Sequence, residues 1–331
     1  MGDTFSALVI DKTDDGLSAG IRQLQLSDLP DEDVLVDIAY STVNYKDGLA
    51  ASGAIPIVRK FPMVGGIDLA GTVVESRHPD FKAGDQVLVN GYGLSERYWG
   101  GYSQKQRLKA EWLVRVPEPL SMEQVAAIGT AGYTSMLCVQ AIQDWGVKAE
   151  NGPVLVTGAA GGVGSVAVML LAKLGYQVTA STGRVQEAQS FLKGLGASEV
   201  IDREELAHDP KPLESENWAA VVDTVGANTL ATAIAQTKYE GIVTACGLAG
   251  GAALPSSVMP FILRGVTLRG IDSVMAPMAR RQRAWDALAE LIDHDKLAEI
   301  YTTEPLANVP QLTSDILAGR IKGRVVIDVN A

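Results

Sequence analysis

The chain has 331 residues, 47% of them hydrophobic, with 34 glycines and a formal net charge of −11 at pH 7. That length exceeds one ordinary domain and supplies a large core, while the acidic balance argues against nonspecific binding to nucleic acid or anionic membranes. Only Cys138 and Cys246 are present, far apart and each in an apolar run, which excludes a disulfide framework or a four-cysteine zinc lobe and leaves buried thiols as the reading.

The N-terminal run Met1-Gly-Asp-Thr-Phe-Ser-Ala-Leu-Val-Ile lacks a basic region and a long apolar stretch. No later segment reaches the roughly 18 uninterrupted apolar residues of a membrane span, so a cytoplasmic protein without a membrane anchor is expected. From residue 5 to about 128, short β-rich segments such as Val34-Leu-Val-Asp-Ile-Ala-Tyr40, Gly71-Thr-Val-Val-Glu75 and Gln86-Val-Leu-Val89 alternate with Gly, Pro and Asp clusters. This pattern predicts a twisted, barrel-like β domain.

From about 129 to 270, strands alternate with helical segments: Val154 to Thr157, Val178 to Ser181, Glu199 to Ile201, Ala219 to Asp223, Gly241 to Ala245 and Val266 to Leu268. Such alternation predicts an α/β fold with a doubly wound parallel sheet. A helix is expected from Arg280-Arg281-Gln282-Arg283 to about Ile292, and the closing strand Arg324-Val-Val-Ile-Asp-Val329 is expected to rejoin the first domain. The expected division is 1–128 completed by 271–331, with 129–270 as the nucleotide-binding domain.

The run Val154-Leu-Val-Thr-Gly158-Ala-Ala160-Gly161-Gly162-Val163-Gly164 carries the most specific chemistry. A β-branched strand enters a glycine-rich turn that opens a helix, and about 20 residues on a second strand ends in hydroxyls and an arginine. Gly161 and Gly164, with Ala159 where a first glycine is usual, bring the backbone close to a pyrophosphate facing the amides of a helix N-terminus. Enzymes that use NAD usually place a carboxylate after the second strand, and it would repel a 2′-phosphate. Here Ser181, Thr182, Gly183 and Arg184 stand instead, and their hydroxyls and guanidinium favour NADPH.

The layout, with the cofactor module late in the chain, resembles the medium-chain dehydrogenase/reductase superfamily over nearly its whole length. Narrower matches are Asn44-Tyr45-Lys46-Asp47, Phe61-Pro-Met63, Gly66-Ile67-Asp68-Leu69-Ala70-Gly71, Gly129-Thr130-Ala131-Gly132, Asp223-Thr-Val-Gly226, Ala245-Cys246-Gly247-Leu248-Ala249-Gly250-Gly251 and Met259-Pro-Phe-Ile-Leu-Arg264. These resemble the zinc-free acryloyl-CoA reductase group, formerly classed among putative quinone oxidoreductases. The resemblance implies a GroES-like β-rich catalytic domain beside a Rossmann domain that binds NADPH.

Zinc-dependent relatives carry a cysteine where this chain has Asn44 and Gly-His-Glu where it has Gly66-Ile67-Asp68. An amide, an isoleucine and one carboxylate do not make a three-ligand Lewis-acid site, so no metal is expected. His78, His208 and His294 lie in polar contexts remote from these motifs and read as surface residues.

By the resemblance, Tyr45 falls where the zinc-bearing relatives begin their catalytic loop, and it is the catalytic candidate as a hydrogen-bond donor near the nicotinamide. Its plainer reading is a packed wall with the hydroxyl on the backbone. Lys46 would orient the ribose or face water; Asp47 and Asp68 would hold the loop by hydrogen bonds rather than act as acid or base. Thr130 would lie beside the nicotinamide or cap a helix. The resemblance further implies Ala160, Gly161, Gly162 and Val163 at the pyrophosphate and Thr182 to Arg184 at the 2′-phosphate. Arg203 would sit over the adenine or in the phosphate pocket, or pair with Glu204 or Glu205. Leu248 and Ser273 would approach the nicotinamide half, and Arg324 would close over the cofactor or stay solvated.

Without a metal, the chemistry must suit a substrate already activated. An alkene conjugated to a thioester accepts hydride at its β-carbon and passes the charge to the thioester oxygen, so positioning and a hydrogen-bond donor suffice. The resemblance thus implies reduction of acryloyl-CoA to propionyl-CoA; a quinone or enone reductase and a non-catalytic NADPH-binding protein are the alternatives. A coenzyme A ester carries about four negative charges, which the acidic chain must offset locally. Arg59-Lys60, Arg264 to Arg269 and Arg280-Arg281-Gln-Arg283 are the available clusters. Gly265 to Ser273 reads as an exposed edge strand, through which the superfamily commonly forms homodimers.

Overall fold

The computed structural model describes residues 4–14 and 16–331. The chain divides into two compact units, one of residues 1–130, 273–289 and 301–331, the other of 131–272 and 290–300.

The first unit is built on β-sheet. Val34–Thr42 is central to its seven-stranded sheet, whose order is Tyr301–Pro305, Arg324–Asp328, Val34–Thr42, Asp68–Ser76, Gln86–Asn90 and Val114–Arg115, with Lys105–Leu108 also paired to Val34–Thr42. All these pairings are antiparallel except that of Tyr301–Pro305 with Arg324–Asp328. Val34, Val36 and Ile38 alternate toward one face and pack with Leu69, Val73, Val87, Val89, Val325 and Ile327, which is the period-two pattern of a sheet with one buried face. Thr4–Thr13 lies between Gly16–Gln25 and Met63–Val64 in a second, three-stranded sheet. The helix Tyr45–Ser52 follows directly from the central strand and packs against the helix Val309–Leu317, which fixes where its first residues point.

In the second unit a six-stranded parallel sheet has the order Glu199–Asp202, Val178–Thr182, Val154–Val156, Trp218–Asp223, Thr237–Ala245 and Thr267–Gly270. Strand order reverses beside Val154–Val156, and in open α/β sheets ligands bind at the carboxyl ends of the strands at that switch point. Val154, Leu155 and Val156 are fully buried, as expected of a strand covered on both faces. The α/β architecture and six-strand pattern expected from the sequence are both present.

The helix Met122–Trp145 is long and apolar enough to cross a membrane by composition, yet its apolar window is wholly buried inside the protein. It is broken at Gly129, whose φ of 51° and ψ of −159° lie in a region essentially restricted to glycine.

Candidate active site

The glycine-rich turn stands at the carboxyl end of Val154–Val156. Gly158 has a φ of 59°, and its carbonyl accepts from the Gly161 amide at 2.9 Å. A Cβ on Gly164 would lie 2.5 Å from the Gly158 oxygen, so the helix Gly162–Lys173 can start this close to the strand only with glycine there. No side chain caps that helix. Its first-turn amides, those of Gly162, Val163 and Gly164, are therefore uncapped, the arrangement of donors that suits an anion. Ala160 is buried beside them.

The neighbouring strand ends in Ser181 and Thr182, both buried, followed by exposed Gly183 and half-buried Arg184. The Arg184 amide donates to Thr182 Oγ1 at 3.2 Å, which sets the turn into the helix Val185–Leu195. Arg203, next to the end of the third strand, lies directly against Gly183: a Cβ there would be 2.7 Å from Arg203 Cδ and 2.9 Å from Cζ. Arg203 also pairs with Glu204 at 3.2 Å, an exposed contact worth little. The pairing with Glu204 is therefore present, and the same guanidinium also stands against Gly183 at the end of the second strand. Leu248 follows the fifth strand with 46% exposure. At the switch point, Asp223 is buried and accepts from Thr157 Oγ1 at 2.7 Å and the Gly226 amide at 2.9 Å; burial raises its pKa despite these bonds.

In the first unit a closed hydrogen-bond network occupies the position of the Asn44 and Asp68 motifs. Asp68 accepts from the Thr42 amide at 3.1 Å, Thr42 Oγ1 at 2.8 Å, Asn44 Nδ2 at 3.0 Å and the Thr130 amide at 2.9 Å. Arg324 donates to the Ala127 carbonyl at 3.1 Å, the Val43 carbonyl at 3.2 Å, Asn44 Oδ1 at 3.1 Å and Thr42 Oγ1 at 2.7 Å. It is 2% exposed, and burial draws its pKa down while Asp68 opposes the shift. Neither reading of Arg324 survives: the side chain is not solvated, and its donors are committed inside the unit rather than held over a cofactor. Paired to the central strand by its own strand, it serves as a cationic strut for Asp68 and for the helix turn before Gly129.

Asp47 is 2% exposed. Its Oδ2 accepts the Asn44 amide at 2.9 Å and its Oδ1 the Ile67 amide at 3.0 Å. Burial and the nearby Asp68 raise its pKa from the ordinary 3.8 to about 7, against the lowering effect of the bonds from Asn44. Tyr102, also buried, donates to the Thr42 carbonyl at 3.0 Å. Both carboxylates therefore hold the loop, as the sequence suggested.

Tyr45, the first residue of its helix, is 36% exposed, and its hydroxyl makes no hydrogen bond among the described residues. Its phenol is thus available to a ligand rather than tied to backbone. Lys46 does something the sequence reading missed, pairing with Glu96 at 3.0 Å rather than facing water. Thr130 is 8% exposed, and Asn90 Nδ2 lies 3.5 Å from its hydroxyl. The Ser273 carbonyl accepts from Arg281 at 3.2 Å. Arg281 is fully buried: its guanidinium sits 3.9 Å from the Tyr92 ring centroid and also donates to the Ala276, Asn90 and Val274 carbonyls. It cannot belong to a solvent-facing anion site, and its basic neighbours in the sequence concealed that.

Residues 30–118 match the alcohol dehydrogenase GroES-like domain family and residues 162–293 the zinc-binding dehydrogenase family. Over 330 residues the chain is 52% identical to the acrylyl-CoA reductase AcuI of Ruegeria pomeroyi, covering 99% of this chain and 100% of that one. The chain belongs to the zinc-free medium-chain dehydrogenase/reductase family. Within this family it is similar to the yhdH oxidoreductase of Salmonella enterica, solved in complex with NADP, with a TM-score of 0.96, 47% identity and coverage of 98% and 99% of the two chains. It is likewise similar to the Bacillus subtilis protein yhfP, solved with NAD bound, with a TM-score of 0.95, 43% identity and coverage of 99% and 100%.

Family membership sharpens the meaning of the network. The dehydrogenase metal position needs three soft or borderline donors, and here the corresponding groups are an amide, an aliphatic chain and a carboxylate already bound to a guanidinium-braced threonine. Among the described residues no group of three His, Cys, Asp or Glu side chains could hold a metal ion. The donor set does not fit zinc.

Proposed function

We propose that the protein is an NADPH-dependent acryloyl-CoA reductase, converting acryloyl-CoA to propionyl-CoA. The observation that carries this reading is the end-to-end likeness to the Ruegeria pomeroyi acrylyl-CoA reductase, and the substitution of a hydrogen-bonded network for metal ligands agrees with it. The bound cofactor supplies the hydride that adds to the β-carbon of the conjugated alkene.

The chain's own residues have three tasks. Amides at Gly161, Gly162, Val163 and Gly164, with Ala160 alongside, bind the pyrophosphate, while Ser181, Thr182, Gly183, Arg184 and Arg203 receive the 2′-phosphate. Leu248, Thr130 and Ser273 border the nicotinamide end. Tyr45 donates a hydrogen bond to the thioester oxygen as negative charge gathers there, a type of contact worth about 3–4 kcal/mol in the transition state. Lys46 supports that loop through Glu96. A proton from solvent completes the product at the α-carbon.

NADPH consumption should be fastest with acryloyl-CoA, compared with free acrylate and a benzoquinone. Preference for the quinone would make the protein an enone or quinone oxidoreductase, and tight NADPH binding without turnover would make it a binding protein.

A homodimer is part of the proposal. The strand Thr267–Gly270 is the sheet's edge, and Ile262 and Leu263 of the preceding helix Met259–Arg264, with Val258 at its start, are 69%, 54% and 65% exposed. Light scattering should report two chains for the native protein and one for Ile262→Glu. A cytoplasmic setting fits a chain whose two cysteines are both free.

A further inference from the structure

Of the three basic clusters in the sequence, two have an arginine turned into the fold. Arg264 donates to the Ala235 carbonyl at 2.8 Å and the Glu214 carbonyl at 2.6 Å, and pairs with Glu216 at 3.5 Å. Arg281 is buried under Tyr92. At Arg59 and Lys60, both exposed, no side-chain hydrogen bond or ion pair forms among the described residues.

Glu96 gathers further cations around that pair. Its carboxylate holds Lys46 at 3.0 Å and touches Arg97 at 3.4 Å, while its backbone carbonyl accepts the Arg59 amide at 2.8 Å. The Glu96 carboxylate thus pairs with Lys46 and Arg97, and its backbone holds the segment that carries the unpaired Arg59 and Lys60, in a chain whose net charge is −11. Apolar side chains lie along the same stretch: Tyr45, Ile55 and Phe61 are 36%, 42% and 37% exposed. Phosphates beside an adenine ring call for mobile cations next to an aromatic face, and Tyr45 opens the helix on which Lys46 stands.

We infer that Arg59, Lys60 and Arg97 form the subsite for the phosphorylated nucleotide end of the coenzyme A ester, with Phe61 offering its face to the adenine. The inference rests on the acyl-CoA reading above and adds the residues that make the enzyme prefer a coenzyme A ester over a shorter thioester. Lys46, already neutralised by Glu96, anchors the patch near Tyr45 instead of binding phosphate itself.

The test compares acryloyl-CoA, its 3′-dephospho form and the S-acryloyl thioester of N-acetylcysteamine, using the native enzyme and the Arg59→Ala/Lys60→Ala and Arg97→Ala variants. Each exposed charge contact is worth up to about fivefold, so the double variant should raise KM for acryloyl-CoA several-fold, up to about 25-fold. Its preference for acryloyl-CoA over the short thioester should shrink by the same factor, with kcat and the KM for NADPH as in the native enzyme. Raising salt should weaken acryloyl-CoA binding in the native enzyme more than in the variant. An equal KM rise for both thioesters, an unchanged preference, or a rise confined to NADPH would overturn the assignment. Calorimetric titration of free coenzyme A reads the patch without turnover: weaker binding by the double variant supports it and equal binding refutes it, even if no thioester is reduced and the reductase reading itself fails.

Discussion

A Cβ on Gly129 would lie 2.5 Å from Arg324 Nη2, so the break in the long helix and the buried guanidinium require one another. It would also come within 3.0 Å of Thr42 Oγ1 and 3.2 Å of Asp68 Oδ2. Gly129→Ala therefore meets both a φ of 51° unsuited to a side chain and a packed polar cluster. Strain of this type costs about 1–3 kcal/mol before any displacement of the guanidinium is counted. Removing the cation by Arg324→Met leaves Asp68 buried without its counter-charge, for which about 3–5 kcal/mol is expected. Denaturant unfolding of both variants checks this; a loss under about 1 kcal/mol for Arg324→Met would mean that the strut is dispensable.

Asp47 gives the fold a pH signature. Its pKa in the folded protein, about 7, lies above the ordinary 3.8, so the folded state holds this proton more tightly than the unfolded chain does. The sign follows from linkage: the associated stability is fully present below about pH 4, declines as pH rises and is gone above about 7, with a total of a few kcal/mol. Melting temperature should therefore fall between pH 5 and 7.5. Asp47→Asn should flatten that slope while lowering stability at pH 5, because both carboxylate oxygens accept backbone amides and asparagine presents an amino group to one of them. A variant with the native slope would assign the titration elsewhere.

Arg203 lies against Gly183, and that contact sets the expected coenzyme preference. Arg203→Ala should raise KM for NADPH by about tenfold, the scale of one charge-assisted contact to phosphate, and leave NADH nearly unaffected. Steady-state kinetics with both coenzymes measures it. Equal effects on the two would place Arg203 over the adenine instead of at the phosphate. Since one similar structure was solved with NAD bound, the native ratio is itself informative.

The two thiols, distant in sequence, meet in the fold. Cys246 Sγ lies 3.3 Å from the Asp223 carbonyl oxygen, and its pKa is pushed well up by a hydrogen bond with Cys138 and by burial. Thiolate is the form that attacks electron-poor alkenes, and it is suppressed here. Incubation of native enzyme with excess acryloyl-CoA should leave both cysteines unmodified by mass spectrometry, whereas unfolded chain should be alkylated at both. Rapid alkylation of the native protein would contradict the burial of Cys138 and the suppressed ionisation of Cys246.

The nucleotide-binding half was legible because its signals are local. A run of three apolar β-branched or leucine residues, a turn that only glycine can make and an apolar helix lie within one stretch, so Gly158 to Gly164 declared their geometry without tertiary information. The catalytic half was legible only in outline. Asn44, Asp47 and Asp68 could be named from their motifs, but Arg324 is 280 residues from Asn44, and its flanking Lys322 and Gly323 suggest a solvent-exposed turn. Strand pairing with Val34–Thr42 buries it, and no local pattern encodes such a pairing. Arg281 was misread for the same reason: three arginines close together suggest a charged surface, although helical spacing turns one of them inward onto Tyr92.

Isotope tracing with NADPH deuterated at both C4 positions asks whether hydride passes directly to the alkene. Propionyl-CoA formed from acryloyl-CoA should carry a single deuterium at the β-carbon, with the new hydrogen at the α-carbon drawn from solvent. Deuterium at the α-carbon, or a product labelled only from solvent, would contradict direct β-addition in a metal-free site.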